Sequence, residues 1–137
     1  MHYNEYRKVV HAILFHKGKV LLSRRLKKGF HQGFWGDPGG KMEIDERPVH
    51  AIQRELLEET DLYLPVSSFS FQDCYIYPRR KVKCFVFVSI LTRTQARKIK
   101  NTEPDKHSDW QWFSIKEALA LNLLPSVRYV LETHEKI

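Results

Sequence analysis

The sequence is short of cysteine and has no long hydrophobic run. Its two cysteines, Cys74 and Cys84, are too few for the disulfide framework of a small secreted domain. No apolar stretch approaches the roughly 20 residues that a helix needs to span a bilayer. The first residues also lack the basic-then-apolar build of a signal peptide. These absences exclude disulfide-rich and membrane-spanning classes and predict a reduced, cytoplasmic protein with no membrane partner.

Glycine is also scarce, and five of the six glycines fall between residues 29 and 40. The 137 residues contain no internal repeat, low-complexity tract or linker; 42% of them are hydrophobic and 28% are charged. This composition is that of an ordinary globular chain rather than a disordered one. We therefore expect a single domain over residues 1–137, with a loop at the glycine-rich segment.

The net charge of +7 conceals an uneven distribution. Residues 43–61 hold seven of the 16 acids and only two of the 23 bases. An acidic island in a basic chain is typical of a site that binds a cation together with an anionic substrate. The basic runs at 24–25, 27–28 and 79–81 would raise the local concentration of a polyphosphate, although each alone is also what a solvated surface contains.

Apolar spacing and turn residues predict a mixed sheet covered by helices, in the α/β class. Two hairpins are expected, over residues 7–25 with a turn at Lys17-Gly18 and over residues 69–91 with a turn at 78–80. A helix should run from Pro48 to Thr60. A short strand over 110–113, a helix capped by Ser114 and ending at Ala120, and a last helix over 126–134 complete the chain.

Three glutamates of the central helix carry the most informative spacing. Glu55, Glu58 and Glu59 are three and four residues apart, so they share one sector of the helix surface. Like charges at these spacings destabilise a helix slightly, and a bound cation would reverse that effect. Their oxygens suit Mg²⁺ or Mn²⁺, and no Cys/His cluster indicates zinc. The alternative is a solvated acidic face relieved by an Arg54–Glu58 pair.

The segment before this helix favours the metal-site interpretation. In Pro38-Gly39-Gly40 the backbone is free to approach a ligand closely, and a free carbonyl there would add a metal ligand. Arg54 has the planar fork to orient a carboxylate by a bidentate contact, and Lys41 is long enough to reach a phosphate.

Residues 40–62 resemble the Nudix box, which is Gly, five residues, Glu, seven residues, Arg-Glu, an aliphatic residue, any residue, Glu-Glu, any residue, Gly and an aliphatic residue. Every defined position matches except the second glycine, where Asp61 stands. A glycine there would end the helix in a left-handed conformation, which aspartate tolerates at a cost of about 1 kcal/mol. Asp37 is a second departure, since many members carry an apolar residue before Pro-Gly-Gly.

The resemblance extends to both sides of the box. Residues 20–36 resemble the lead-in strand and glycine-rich segment, and residues 101–113 resemble, more weakly, the C-terminal part of MutT-type nucleotide pyrophosphohydrolases. It implies a Nudix α/β/α sandwich that uses Mg²⁺, with Mn²⁺ as a substitute. The implied metal ligands are the Gly39 carbonyl, Glu55, Glu58, Glu59 and Glu103. The implied catalytic residues are Arg54, Glu58, Glu59 and Glu103, with Glu46 in support, and Lys41 is a weaker candidate for binding the substrate.

The expected reaction is hydrolysis of a phosphoanhydride in a nucleoside diphosphate-linked small molecule. A canonical or modified (deoxy)nucleoside triphosphate giving a monophosphate and pyrophosphate is the first choice, and ADP-ribose, a nucleotide sugar and a 5′-triphosphorylated RNA end are alternatives. A non-catalytic Nudix-fold binding module or a nucleic-acid-binding domain would explain the box carboxylates less well. A homodimer is common in the family and stays open.

Aromatic residues are candidates for stacking on the nucleobase, although aromatics at strand spacing also serve as core. Phe34 and Trp35 are the predicted substrate contacts within the larger set Phe34, Trp35, Phe85, Phe87 and Trp110. His50 and His107 lie beside candidate site residues but are expected to be exposed bystanders. Cys74 and Cys84 are expected to be reduced packing residues, with a cross-strand disulfide as the alternative if the 78–80 turn sets them opposite each other.

Overall fold

A computed structural model describes residues 5–29 and 31–133. In the described residues, four strands precede the first helix, and the later strands are interspersed with shorter helices. The strands are β1 (Arg7–His16), β2 (Lys19–Arg24), β3 (Trp35–Gly36), β4 (Gly39–Lys41), β5 (Ser70–Tyr77), β6 (Val82–Ile90) and β7 (Gln111–Ser114). The helices are α1 (Pro48–Thr60), α2 (Arg93–Arg97), α3 (Ile115–Leu119) and α4 (Pro125–Thr133), with a 3₁₀ turn at Val66–Ser68.

These seven strands form one mixed sheet. Five of them lie side by side in the order β3-β2-β1-β6-β5, and β4 and β7 pair with β1 and β2 outside this series. The central strand β1 pairs in parallel with β6 along nine residues and antiparallel with β2 at its end. The start of β1 pairs antiparallel with β4, and β2 pairs with β7. This arrangement confirms the predicted mixed sheet and sets the glycine-rich strand β4 beside the start of β1.

The residues of β1 alternate between two cores because successive side chains of a strand point to opposite faces. Val10, Ala12 and Leu14 pack on one face with Ala51, Ile52 and Leu56 of α1. On the other face, Ile13 and Phe15 pack with buried residues of α3 and α4, which include Ala118, Val127, Val130 and Leu131. The predicted α/β/α sandwich is therefore confirmed.

The main elements agree with the sequence prediction, and the exceptions are short. Both hairpins, the helix over Pro48–Thr60 and the strand near 111 are confirmed, and Ser114 caps α3 with a capping box. The predicted end of the last helix at residue 134 lies outside the described residues. The short strands β3 and β4 and the helix α2 were not predicted. The two strands have two and three residues and leave no periodicity in the sequence, whereas the sequence signal for α2 is its capping box of Thr92 and Gln95.

The hairpin of β5 and β6 settles the positions of the two cysteines. Cys74 pairs with Phe85, and Cys84 pairs with Tyr75, so the two cysteines are offset by one residue. A one-residue offset directs their side chains to opposite faces of the sheet. Both are free thiols, as expected, and the disulfide alternative was wrong.

Helix α1 ends where the sequence predicts it to end. Asp61 has φ 63° and ψ 15°, and its amide donates to the carbonyl of Leu57 at 2.9 Å. Aspartate thus adopts the left-handed conformation that the family pattern assigns to glycine, while the preceding carboxylates stay on the helix.

Within residues 5–29 and 31–133, no helix is long and apolar enough to cross a membrane.

Candidate functional site

The carboxylates of α1 emerge beside the sheet because the apolar face of the helix is fixed against it. Ala51, Ile52 and Leu56 are fully buried, which turns the adjoining sector of α1 toward β4. The side chains of Glu55 and Glu59 are 15% and 14% exposed, whereas Glu58 is 55% exposed. The helix therefore presents two half-buried carboxylates to the site and a third at its outer margin.

The two glycines of β4 allow the backbone to touch these carboxylates. The amide of Gly39 donates to Glu59 Oε1 at 2.7 Å. A Cβ on Gly40 would lie 2.4 Å from the carboxylate of Glu55. Gly39 lies opposite His11 of β1, and the amide of the next residue, Ala12, donates to the carbonyl of Pro38. Gly39 and His11 are therefore a non-hydrogen-bonded pair of the antiparallel ladder. The Gly39 carbonyl is thus directed away from β1, on the same side as the amide that reaches Glu59.

Arg54 holds the acidic residues in place from the outer side of α1. Its Nε and Nη2 donate to the two oxygens of Glu46 at 2.8 and 2.9 Å, a bidentate contact. Its Nη1 donates to Glu55 at 2.9 Å and lies 3.3 Å from Glu58. Nη2 also donates to the carbonyl of Lys41 at 3.0 Å. Arg54 therefore holds the acidic side chains in position.

The loop before β7 brings Glu103 to the same place. The last carbonyls of α1 lack helical partners, and this loop supplies donors to them. Thr102 Oγ1 donates to the carbonyl of Glu58 at 2.5 Å, and the amide of Lys100 donates to that of Thr60 at 2.9 Å. Glu103 follows directly, and its Oε2 accepts from Lys106 Nζ at 2.8 Å. Docking of the loop on the helix end thus sets Glu103 beside α1.

His107 is a site residue that the sequence prediction missed. It is 6% exposed rather than a solvent-facing bystander. Its Nε2 lies 3.8 Å from Glu59 Oε2. One ligand atom of each of His107, Glu59 and Glu103 lies within 4.8 Å of the others. The group joins α1 to the loop before β7, and these two segments are far apart in the sequence, so spacing alone cannot reveal it. His50, by contrast, is exposed as expected.

The electrostatics of this group fit a divalent cation. Burial, together with the charges of Glu55 and Glu103, raises the pKa of Glu59 to about 8, despite the hydrogen bond from Gly39. Burial also raises the pKa of Glu55 against the effect of Arg54. Carboxylates crowded in this way favour proton uptake or cation binding. Their hard oxygens match Mg²⁺ or Mn²⁺, so the donor set fits the metal that the sequence predicts.

A cavity of about 540 Å³ adjoins the carboxylates. One wall carries Glu55, Glu58, Glu59 and Glu103, and the rim carries six exposed bases: Arg7, Arg25, Lys27, Lys28, Lys41 and Lys106. A volume of this order is typical of small-molecule sites. Acidic and basic walls facing one cavity suit a cation bound to an anionic ligand.

The aromatic predictions fare differently from the charged ones. Phe34 and Trp35 pack against the α3–α4 core, and Trp35 lies 5.3 Å from Phe113 in an edge-to-face contact. Neither residue lines the cavity, so the structure does not support them as substrate contacts. Tyr77 and Trp110 line it instead. Trp110 belonged to the wider aromatic set, whereas Tyr77 sits at a strand end that carries no sequence signal.

An ion pair of His11 and Asp37 lines the cavity. His11 Nδ1 and Asp37 Oδ1 are 2.8 Å apart, and both residues are 7% exposed. Burial alone would lower the pKa of His11. The charge of Asp37 and its hydrogen bond, with a contribution from Cys84, outweigh burial and raise that pKa to about 10. The unusual aspartate before Pro-Gly-Gly is therefore the counterion of a buried imidazolium.

Comparisons with known proteins agree with this geometry. The NUDIX domain family model matches residues 5–133. An 8-oxo-dGTP diphosphatase of Buchnera aphidicola is 40% identical over 76 residues, which cover 55% of this chain and 58% of that enzyme. An RNA pyrophosphohydrolase of Bartonella tribocorum is 28% identical over 94% of this chain and 84% of its own length. The crystal structure of the MutT Nudix hydrolase from Burkholderia pseudomallei superposes with a TM-score of 0.81 at 24% identity, covering 93% of this chain and 97% of that one.

Proposed function

Because the chain belongs to the Nudix family of hydrolases, we propose that it cleaves the phosphoanhydride of a nucleoside triphosphate, canonical or modified, with a divalent cation. The products are a nucleoside monophosphate and pyrophosphate. The observation that carries the proposal is the cavity that joins four carboxylates to a rim of bases. The Buchnera relative, named 8-oxo-dGTP diphosphatase, supports a triphosphate as the substrate class.

The carboxylates have separable roles in this proposal. Glu55 and Glu59, with the Gly39 carbonyl, hold Mg²⁺ or Mn²⁺, and Glu58 and Glu103 border the same site. The cation, when bound, neutralises phosphate charge and lowers the pKa of a bound water. Arg54 keeps Glu55 and Glu58 in position through the contacts described above. Glu58, Glu59 or Glu103 accepts the proton of the attacking water.

The basic rim has a complementary role. Arg25, Lys27 and Lys28 follow β2 and are exposed at the cavity, where they attract and orient the phosphates.

Water attack on either the α- or the β-phosphorus breaks the anhydride bridge between these two phosphorus atoms and releases the same two products. Tyr77 and Trp110 offer aromatic surface to the nucleobase in the cavity. A nucleotide substrate together with two reduced cysteines favours a cytoplasmic location.

A 5′-triphosphorylated RNA end is the second candidate. The Bartonella relative named RNA pyrophosphohydrolase aligns with 94% of this chain, and the exposed bases that line the cavity are available to phosphates beyond the first nucleotide. The triphosphate moiety and its chemistry are shared by both candidates. They differ in whether phosphates beyond the first nucleotide contribute to binding.

A substrate panel tests the proposal. Purified protein with Mg²⁺ is incubated with nucleoside triphosphates, oxidised triphosphates, ADP-ribose, nucleotide sugars and triphosphorylated RNA, and the products are resolved by chromatography. We expect the largest kcat/KM for a nucleoside triphosphate, with pyrophosphate as co-product. Faster cleavage of RNA, with a KM that rises steeply with salt because several phosphates are contacted, would favour the second candidate. Cleavage of ADP-ribose alone would contradict both.

A further inference from the structure

His107 carries an unpartnered nitrogen inside the carboxylate cluster. The side chain is 8% exposed, and its Nε2 is fully buried without a hydrogen-bond partner. The nearest acidic atom is Glu59 Oε2 at 3.8 Å, which is too long for a hydrogen bond. Buried polar atoms in native proteins are nearly always hydrogen-bonded, so the unpaired Nε2 of His107 needs an explanation.

The hydrogen bond on the other side of the ring selects the tautomer of a neutral His107. His107 Nδ1 lies 3.2 Å from the carbonyl oxygen of Ser108. A carbonyl only accepts, so Nδ1 carries the hydrogen. In the neutral form of the ring, this tautomer presents the lone pair of Nε2 to the carboxylates. Metal-binding histidines have this same arrangement, with one ring nitrogen bound to a backbone carbonyl and the other to the metal.

We propose that His107 Nε2, Glu59 Oε2 and a carboxylate oxygen of Glu103 form a binding site for a divalent transition metal ion. One ligand atom of each side chain lies within 4.8 Å of the others, and Nε2 of His107 lies 3.8 Å from Oε2 of Glu59. Two ligands held about 2.1 Å from a metal are about 3.0–3.4 Å apart, so modest side-chain movement closes the site. The other oxygen of Glu59 is occupied by the Gly39 amide, which leaves Oε2 for the metal.

The surrounding backbone holds the imidazole in place. Residues Arg25 and His107 form an antiparallel bridge, and the amide of Leu26 donates to the carbonyl of Lys106 at 2.8 Å. The Trp110 ring packs against the imidazole with centroids 4.8 Å apart. Lys106 Nζ pairs with Glu103 but is 48% exposed, so it is free to leave when a metal ion binds. The histidine is therefore preorganised, and the competing cation is mobile.

The nitrogen ligand determines which ions the site prefers. Mg²⁺ favours oxygen ligands, whereas imidazole suits ions such as Mn²⁺, Co²⁺ and Zn²⁺. Mn²⁺ and Co²⁺ affinity should therefore depend on His107, and Mg²⁺ affinity should depend mainly on the glutamates. The inference rests on the proposed function only in that both need cation binding at the glutamates. It adds a site that distinguishes transition metals from Mg²⁺.

Electron spin-echo spectroscopy of the purified protein with Mn²⁺ tests this site without measuring turnover. We expect ¹⁴N modulation from a coordinated imidazole, replaced by a ¹⁵N pattern after selective labelling of histidine.

Two variants test whether His107 is that histidine. His107→Phe keeps a ring against Trp110 but removes the ligand, and His107→Gln supplies oxygen instead of nitrogen. Both should abolish the modulation and weaken Mn²⁺ and Co²⁺ binding at least about tenfold, with Mg²⁺ affinity changed far less. The matched control His50→Gln, on the exposed side of α1, should leave the spectrum unchanged.

The possible results separate the two proposals. Mn²⁺ binding without nitrogen modulation would overturn the His107 site while leaving the proposed hydrolase intact. Nitrogen modulation that persists in folded His107→Gln would overturn it as well. Failure of the wild-type protein to bind any divalent cation would overturn both. If the His107 variants do not fold, the labelled wild-type spectrum decides whether a histidine nitrogen binds the metal.

Discussion

The amide of Gly39 donates a 2.7 Å hydrogen bond to the carboxylate of Glu59, which lies twenty residues further along the chain. This contact joins the strand β4 to the helix α1 at the centre of the site. It fixes one oxygen of Glu59 and leaves the other to face His107 and Glu103. Gly39, just before the Nudix box, and Gly40, its first residue, thus allow the backbone to approach the carboxylates of Glu59 and Glu55 closely.

Gly39→Ala should lower both stability and activity. A Cβ at this position would lie 2.2 Å from the carbonyl oxygen of Val10, which is backbone and has little freedom to move. We expect a loss of about 1–3 kcal/mol in the free energy of unfolding, measured by urea denaturation, and a large loss of kcat. Gly18→Ala is the control, because it strains a turn with φ +73° far from the site and should cost stability without lowering kcat. Equal kcat in the two variants would contradict the role of Gly39.

Arg54→Lys should impair activity although it conserves the charge. Lysine has no planar fork, so the bidentate contact with Glu46 is lost, and Glu55 loses its fixed partner. We expect kcat/KM to fall about 10- to 100-fold with a weaker apparent affinity for Mg²⁺. Arg47→Lys changes an exposed arginine just before α1 and should have no such effect. Full activity of Arg54→Lys would show that charge alone is sufficient.

The His11–Asp37 pair should make stability depend on alkaline pH. The pKa of His11 is about 10 in the folded protein and about 6.5 in the unfolded chain. A raised pKa means that the unfolded chain binds fewer protons between these values, so the stabilisation is complete below pH 6.5 and is lost as the pH rises toward 10. Unfolding free energies at pH 6.5, 8 and 9.5 should therefore decline in the wild-type protein.

Asp37→Asn is the matched test of that pH dependence. Without the carboxylate, burial keeps His11 neutral, so its contribution to the pH dependence should disappear. The variant should also be about 1.5–3 kcal/mol less stable near pH 6.5, because a charged hydrogen bond is lost. An identical decline in wild type and Asp37→Asn would assign the pH dependence to other groups.

Asp61→Gly should stabilise the protein and leave catalysis unchanged. Asp61 occupies the left-handed conformation with φ 63°, which costs aspartate about 1 kcal/mol and glycine nothing. Its pair with Lys100 at 3.8 Å is solvent-exposed and contributes little. Thermal denaturation should show a higher Tm for Asp61→Gly and a lower one for Asp61→Ala, with equal kcat. A lower Tm for the glycine variant would indicate that Asp61 makes a favourable contact.

The carboxylates of α1 could be predicted from sequence because their spacing and that of Ala51, Ile52 and Leu56 follow the period of one helix. Gly39 and Arg54 could be predicted through the family pattern. These residues are local in the sequence, and a single element sets their geometry. The helix, both hairpins and a mixed sheet covered by helices followed from apolar spacing and turn residues, and the α/β/α sandwich followed from the family resemblance.

The remaining features depend on contacts between distant segments. His107 reaches Glu59 only because loop 100–107 caps the end of α1 and pairs with residue 25. Asp37 finds His11 across the β1–β4 ladder, 26 residues away. Trp35 was predicted to contact substrate because it is aromatic and near the box, but the pairing of β3 with β2 directs it into the α3–α4 core. No sequence period encodes these relationships.

The most direct test of the central claim is the release of nucleoside monophosphate and pyrophosphate from a nucleoside triphosphate by wild type and Glu59→Gln. The assay is run with Mg²⁺, after EDTA, and with Glu132→Gln as a control for an exposed glutamate on α4. We predict Mg²⁺-dependent release by wild type and Glu132→Gln, abolished by EDTA, and a loss of at least about 100-fold in Glu59→Gln. Equal release with and without Mg²⁺, or by folded Glu59→Gln and wild type alike, would contradict the account.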